Sequence, residues 1–127
     1  MTGVQTCALP IFSPGNFAAV VANFSNEPNS LFKRTGEKPT RFADVAAELG
    51  LAGPSRAPMK FGALLADFDR DGRLDLFTCN GHLEPDIATA QPGQTYKQAA
   101  QLFRNTGSDE KQFELVTFPS GDRKSVV

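Results

Sequence analysis

Residues 60–80 read KFGALLADFDRDGRLDLFTCN. Two β-rich apolar runs, KFGALLADF and RLDLFTCN, enter and leave a turn crowded with aspartate, and the pattern reads as strand, turn, strand. Beyond it, GHLEPDIATAQPGQTYKQAA at 81–100 is loop-like. QLFRN, a Thr-Gly turn and KQFELVTF then complete a unit of four short strands.

The same unit occurs earlier in the chain. SLFKRTGEKPTRFADV at 30–45 matches QLFRNTGSDEKQFELV at 101–116 at an offset of 71. Leu31, Phe32, Thr35, Gly36, Phe42 and Val45 meet Leu102, Phe103, Thr106, Gly107, Phe113 and Val116, and Lys33 meets Arg104. PGNFAAVVANF at 14–24 matches DGRLDLFTCNG at 71–81 at an offset of 57, with Gly15 on Gly72 and Asn23 on Asn80. The difference of 14 residues is an insertion within 81–100. The first copy keeps three strands, FAAVVAN, SLFKR and RFADVA, while ADVAAEL at 43–49 suits a short helical turn stopped by Gly50. This internal period is the mark of a repeat protein. Seven strands in about one and three-quarter four-stranded units suit a fragment of an all-β propeller, and a small sandwich of the same strands is the alternative.

Both ends of the chain are set apart. Residues 1–11, MTGVQTCALPI, and 122–127, DRKSVV, match translated sequencing adapter at every position. The first string also lacks the basic start and continuous apolar stretch of a signal peptide. Excluding both, the expected organisation is a partial first blade at 12–52, a Pro/Gly linker at 53–60, and a second blade at 61–121. A gene cut at both ends leaves room for a leader, an anchor or a catalytic domain outside this sequence.

Composition narrows the class. The 127 residues suit one modest domain, and 13 basic against 14 acidic residues give no basic field for nucleic acid. Without the end strings the balance is 11 to 13. No apolar run approaches a membrane span. Gly and Pro together supply 20 residues, favouring a turn-rich β protein over a helical bundle or coiled coil. A mean hydropathy of −0.27 with 40% hydrophobic residues excludes a disordered tail. Cys7 belongs to the excluded string, so Cys79 is the one thiol left and no internal disulfide is expected.

The turn carries the chemistry. DFDRDGRLD puts Asp67, Asp69, Asp71 and Asp75 at loop positions 1, 3, 5 and 9, with Gly72 at position 6 for the sharp turn. Alternation lets the acidic side chains converge while Phe68 and Arg70 point away. Arg73, at position 7, would lend its backbone carbonyl. Hard oxygen donors in a flexible loop suit Ca²⁺ better than Mg²⁺, which prefers a strict octahedron and keeps its water. Two carboxylates about 5 Å apart repel by about 3 kcal/mol at an effective dielectric near 20, so four in one loop are expected to need a cation. An EF-hand fails on two counts: Thr78 stands where its last acidic ligand belongs, and LDLFTCN looks extended rather than helical. In the first copy Pro14 replaces Asp71 and Ala18 replaces Asp75, so one calcium site is expected, not two.

KFGALLADFDRDGRLDLF resembles an FG-GAP/VCBS repeat, the calcium-loop propeller unit also found in integrin α-subunit heads. Phe61-Gly62 supplies the FG, and the loop aligns at Asp67, Asp69, Asp71 and Asp75. NFSNEPNSLFKRTG, FADVAAELGL, CNGHLEP and QLFRNTG are similar to bacterial secreted proteins of the ASPIC (cartilage-acidic-protein-like) group. The resemblance spans nearly all of residues 12–121. It implies a seven-bladed propeller, an extracellular, periplasmic or cell-surface location, calcium-stabilised blades and no enzymatic activity in the repeat itself. The chain departs from that pattern in its degenerate first loop and in its length, since fewer than two blades cannot close a propeller. The function expected is a non-catalytic calcium-binding scaffold whose loops bind extracellular proteins or glycans. The alternative is an accessory propeller of a larger extracytoplasmic enzyme whose catalytic domain lies outside the fragment. Unclosed blade edges would favour pairing or aggregation.

Weaker candidates have bland readings. His82, Glu84 and Asp86 lie close in sequence as possible transition-metal ligands, but one His and two carboxylates suit a solvated loop better. Cys79 with His82 suggests a thiol and base, yet Cys79 in an apolar strand reads as a buried structural cysteine. Asn23-Phe24-Ser25 is a glycosylation triplet of a kind common by chance. Phe32, Phe42, Phe103 and Phe113 recur with the repeat and read as core.

Overall fold

The computed structural model describes residues 5–9, as backbone, and residues 18–116. Among the described residues, eight strands and two single-turn helices occur in the order β1 (Gln5–Leu9), β2 (Ala18–Ala22), β3 (Ser30–Glu37), β4 (Thr40–Asp44), α1 (Ala52–Ser55), β5 (Lys60–Ala66), β6 (Asp75–Asn80), α2 (Ile87–Ala90), β7 (Gln101–Asn105) and β8 (Phe113–Leu115). They form two four-stranded antiparallel sheets, β1-β2-β3-β4 and β5-β6-β7-β8, each following chain order. The fold is all-β, and among the described residues no helix is long and apolar enough to cross a membrane.

Seven of the eight strands stand where the alternating apolar runs predict them. The eighth is β1, inside the string set apart at 1–11, which pairs with β2 from Gln5↔Ala22 to Leu9↔Ala18. The first sheet therefore has four strands rather than the expected three. Its ladder is made by backbone groups, so an extended segment can fill that edge whatever its origin. Expectations for residues 12–17, 117–121 and 122–127 lie outside the described residues.

The two sheets share one core. Ala18, Val20 and Leu31 from the first sheet meet Leu65, Leu76, Phe103 and Phe113 from the second, with Ala46 and Leu51 between them. Burying each large apolar side chain contributes about 1.5–3 kcal/mol. The chain crosses between sheets through a turn at 46–50, in which the Leu49 N–H donates to Val45 O at 3.0 Å and Gly50 adopts φ +83°. The Phe113 N–H then donates to Leu49 O at 2.9 Å, fixing this turn against β8.

Residues 53–60 are more built than an open linker. Most of α1 falls there, and the buried Ser55 accepts the Asn29 N–H at 2.9 Å through Oγ. The insertion at 81–100 folds back on the start of β5. Gln98 Oε1 accepts the Met59 N–H at 2.9 Å, and Gln94 Nε2 donates to Ala57 O at 3.0 Å.

Strand pairing repeats between the sheets, but burial does not. Ala19↔Phe32 and Val20↔Leu31 in the first sheet correspond, at offsets 57 and 71, to Leu76↔Phe103 and Phe77↔Leu102 in the second. Phe32↔Asp44 and Arg34↔Phe42 likewise correspond to Phe103↔Leu115 and Asn105↔Phe113. Yet Phe103 and Phe113 are fully buried, while their counterparts Phe32 and Phe42 are 36% and 53% exposed. Val20 and Leu31 face the core, while their counterparts Phe77 and Leu102 lie half-buried on the far side of the second sheet. The two sheets thus meet through opposite faces of one pattern.

Two expectations are corrected by that arrangement. Phe32 and Phe42 are not core residues, because the first sheet turns its other face to its neighbour. Cys79 is exposed rather than buried, because β6 points Leu76 and Thr78 inward and Phe77 and Cys79 outward.

Candidate metal centre

The aspartate-rich turn joins β5 to β6, and Ala66 pairs with Asp75 at the loop end of the hairpin. Gly72 at φ +86° and Arg70 at φ +60° both adopt left-handed backbone conformations. Glycine does so without penalty, whereas Arg70 pays about 1–2 kcal/mol for its Cβ. These reversals curl the loop so that carboxylate oxygens of Asp67, Asp69 and Asp71 lie within 4.8 Å of one another.

Backbone N–H groups hold the carboxylates in place. The Asp71 N–H donates to Asp67 Oδ1 at 3.0 Å and to Asp69 Oδ1 at 3.2 Å, and the Gly72 N–H to Asp67 Oδ2 at 2.8 Å. The Arg73 N–H donates to Asp71 Oδ1 at 2.9 Å.

Asp75 stands apart from this cluster. It is buried, accepting the Phe68 N–H at 3.0 Å through Oδ2 and the Asn105 N–H at 2.8 Å through Oδ1. Three of the four aspartates come together, and the fourth ties the base of the loop to β7. Ala18, at the position matching Asp75 in the first copy, is also buried; Pro14 lies outside the described residues.

Two arginines balance the cluster. Arg73 Nη2 donates to Asp71 Oδ2 at 2.6 Å, and its Nε donates to Asn105 O at 3.1 Å. The loop engages Arg73 through its N–H and guanidinium. Arg104, from β7, donates through Nε to Asp69 Oδ2 at 2.7 Å. That hydrogen bond is the main cause holding the Asp69 carboxyl below its ordinary pKa, and it raises the Arg104 pKa in return. The two guanidinium groups thus offset part of the repulsion among these carboxylates. Asp67, Asp69 and Asp71 form a cluster that can hold a metal ion.

Neither protein-family models, nor curated proteins, nor solved structures give a match to this chain.

Arg104 and Asn105 are parts of the site that the loop spacing does not reveal. Asn105 also donates through Nδ2 to Leu74 O at 3.1 Å, so β7 grips the loop at several points. The available signal was the repeat, which puts Arg104 at the position of Lys33, on the strand next to the hairpin.

The remaining candidates fold away from chemistry. His82 is buried, packs edge-on to Phe24 with centroids 6.3 Å apart, and accepts the Glu84 N–H at Nδ1 at 3.1 Å. Glu84 and Asp86 are exposed. The Asn23 amide donates to Pro28 O at 2.7 Å and to Ser30 Oγ at 3.4 Å, so the glycosylation triplet is committed to internal hydrogen bonds.

Proposed function

We propose that this chain is a non-catalytic, cation-binding repeat scaffold of the FG-GAP/VCBS type, in which each sheet is one blade of a propeller. The observation that carries the reading is the convergence of Asp67, Asp69 and Asp71 at the β5–β6 turn. Two ligands on opposite sides of one Ca²⁺ lie about 4.6–5.2 Å apart, given metal–oxygen distances of about 2.3–2.6 Å. Mutual separations within 4.8 Å are compatible with three oxygens around such an ion. Asp75 braces the loop from below, with its role as a direct ligand left to binding-induced rearrangement. Calcium, when bound, would neutralise the cluster and tie the hairpin shut, so its work is structural.

The phase of burial supports blades over a sandwich. Two equivalent sheets related face to face would bury equivalent residues, whereas a stacked array buries opposite faces of successive sheets. The contrast between Phe103 and Phe32 follows the second pattern. In this reading the protein acts outside the cytoplasm and presents its loops to an extracellular protein or glycan.

Thermal unfolding in calcium against chelator tests the proposal. A ligand at 100 times its Kd stabilises the folded state by about 2.7 kcal/mol, so a clear rise in Tm is expected. The rise should vanish in Asp69→Ala/Asp71→Ala. A folded wild-type chain with the same Tm in both solutions would overturn the proposal.

A further inference from the structure

We infer that the junction between the two sheets contains a buried water-binding site, holding about two water molecules between Asn29 on the first-sheet side and Thr78, Asn80 and His82 on the second. The site is separate from the aspartate loop and needs no metal ion.

Both sheets contribute to the junction. The turn at 24–29, between β2 and β3, lies against the start of β5 and the end of β6. Lys60 Nζ donates to Glu27 O at 2.7 Å, and Lys60 pairs with Asn80 across the hairpin. The Phe24 ring meets His82 edge-on, and the Asn29 N–H donates to Ser55 Oγ at 2.9 Å. The insertion closes the seam from the side. Gln94 Nε2 donates to Asn26 Oδ1 at 3.2 Å, and Asn80 Nδ2 donates to Ala99 O at 2.9 Å.

Polar atoms left over along this seam carry the inference. Asn29 and Thr78 are fully buried, and His82 is 7% exposed. Among the described residues, no protein group pairs with Asn29 Nδ2 or Oδ1, Thr78 Oγ1, Asn80 Oδ1 or His82 Nε2. Thr78 and Asn80 are two apart on β6 and share a face, and His82 follows at the same spacing. His82 Nδ1 accepts the Glu84 N–H at 3.1 Å, so the neutral ring carries its proton on Nε2 and presents a donor there. Burying such groups without hydrogen bonds opposes folding, and native proteins satisfy them with protein partners or ordered water.

The mixture of groups selects water. Asn29 Nδ2 and His82 Nε2 donate, Asn29 Oδ1 and Asn80 Oδ1 accept, and the Thr78 hydroxyl does either. Water does both, and a buried molecule makes about three hydrogen bonds, so these five atoms suit about two molecules. A cation would face the Lys60 ammonium, which reaches into the same turn, and an anion would leave both amide oxygens unpaired. The waters bridge the two sheets beside the direct bonds made by Lys60 and Gln94.

Two measurements on the full chain test the site. Water–protein cross-relaxation by NMR should connect the Asn29 side-chain amide to a long-lived bound water. Thr78→Val keeps the side-chain shape and deletes the hydroxyl. In a dry seam that hydroxyl is a pure cost, so its removal raises Tm; in a hydrated seam a bound water loses a partner, so Tm falls. The expected results are the cross-relaxation signal and the lower Tm. A folded wild type without that signal, or a Thr78→Val variant with an equal or raised Tm, would overturn the inference. If circular dichroism shows the variant unfolded, the wild-type signal decides alone. The seam forms without the aspartate loop, so the same outcomes are expected in calcium and in chelator, and failure of the cation reading leaves this one standing.

Discussion

Asp75, buried beneath the loop, is expected to carry more of its stability than exposed Asp69. Its two oxygens accept a part-buried backbone N–H from Phe68 and a buried one from Asn105, so Asp75→Ala removes the partner of both. An unsatisfied buried donor costs about 1–3 kcal/mol, and the expected loss is about 2–4 kcal/mol by urea denaturation. Asp69→Ala, at an exposed position, should cost far less. Lys60 gives a second test at this scale. It is 2% exposed with Nζ donating to Glu27 O at 2.7 Å, and burial pushes its pKa down from 10.5 to about 8, against the opposing pull of Glu27. Between those two values the unfolded chain keeps a proton that the folded chain has released, so stability rises with pH from about 8 to 10.5. Below pH 8 both states hold the proton and the cost of burying the charge is present in full. The gain across the window is about 3 kcal/mol, and in Lys60→Met it should disappear, with higher stability at pH 7. Urea unfolding at pH 7 and pH 10 reads both effects. Neither role was legible in the sequence: spacing alone assigned Asp75 to the ion, because a carboxylate turned inward to backbone donors looks the same in one dimension.

The β5–β6 hairpin shows how much of an element local pattern can reveal. Its strands were legible from two apolar runs around a glycine-bearing turn, and its three converging carboxylates from alternation. The arrival of Arg104 was not, because β7 joins the hairpin only after the long connection at 81–100. That arginine competes with any cation for Asp69. Arg104→Ala is therefore expected to tighten calcium binding severalfold in a calorimetric titration; weaker binding would mean that the arginine positions the loop instead. The turn at 46–50 makes a separate prediction. A Cβ on Gly50 would stand 2.8 Å from Phe113 O and 2.8 Å from Lys111 Cγ, at a φ of +83°. Gly50→Ala should destabilise the chain by about 2 kcal/mol or more, since a backbone oxygen has nowhere to retreat.

At the scale of the whole molecule, two sheets share one hydrogen-bond register and bury opposite faces. The repeat was legible in the sequence, with Phe32 aligned on Phe103 and Phe42 on Phe113, but the face each sheet turns inward was not. Both faces of these strands carry apolar side chains, so alternation has no clear polar side, and burial is decided by which side the neighbouring sheet occupies. Equivalent mutations should accordingly have unequal effects. Phe103→Ala empties the core and is expected to cost about 3–5 kcal/mol, whereas Phe32→Ala, at the matching position but 36% exposed, should cost about 1–2 kcal/mol. Equal losses would contradict the opposed faces. The most direct measurement of the central claim is a calorimetric calcium titration of the 127-residue chain, with circular dichroism on the same samples and Asp69→Ala/Asp71→Ala as control. The expected result is one-site binding, with a Kd of roughly 10⁻⁴–10⁻³ M as in extracellular calcium modules, that is lost in the control while the β signal persists. No binding heat from a chain that is demonstrably β-folded, or equal binding by the control, would contradict the account.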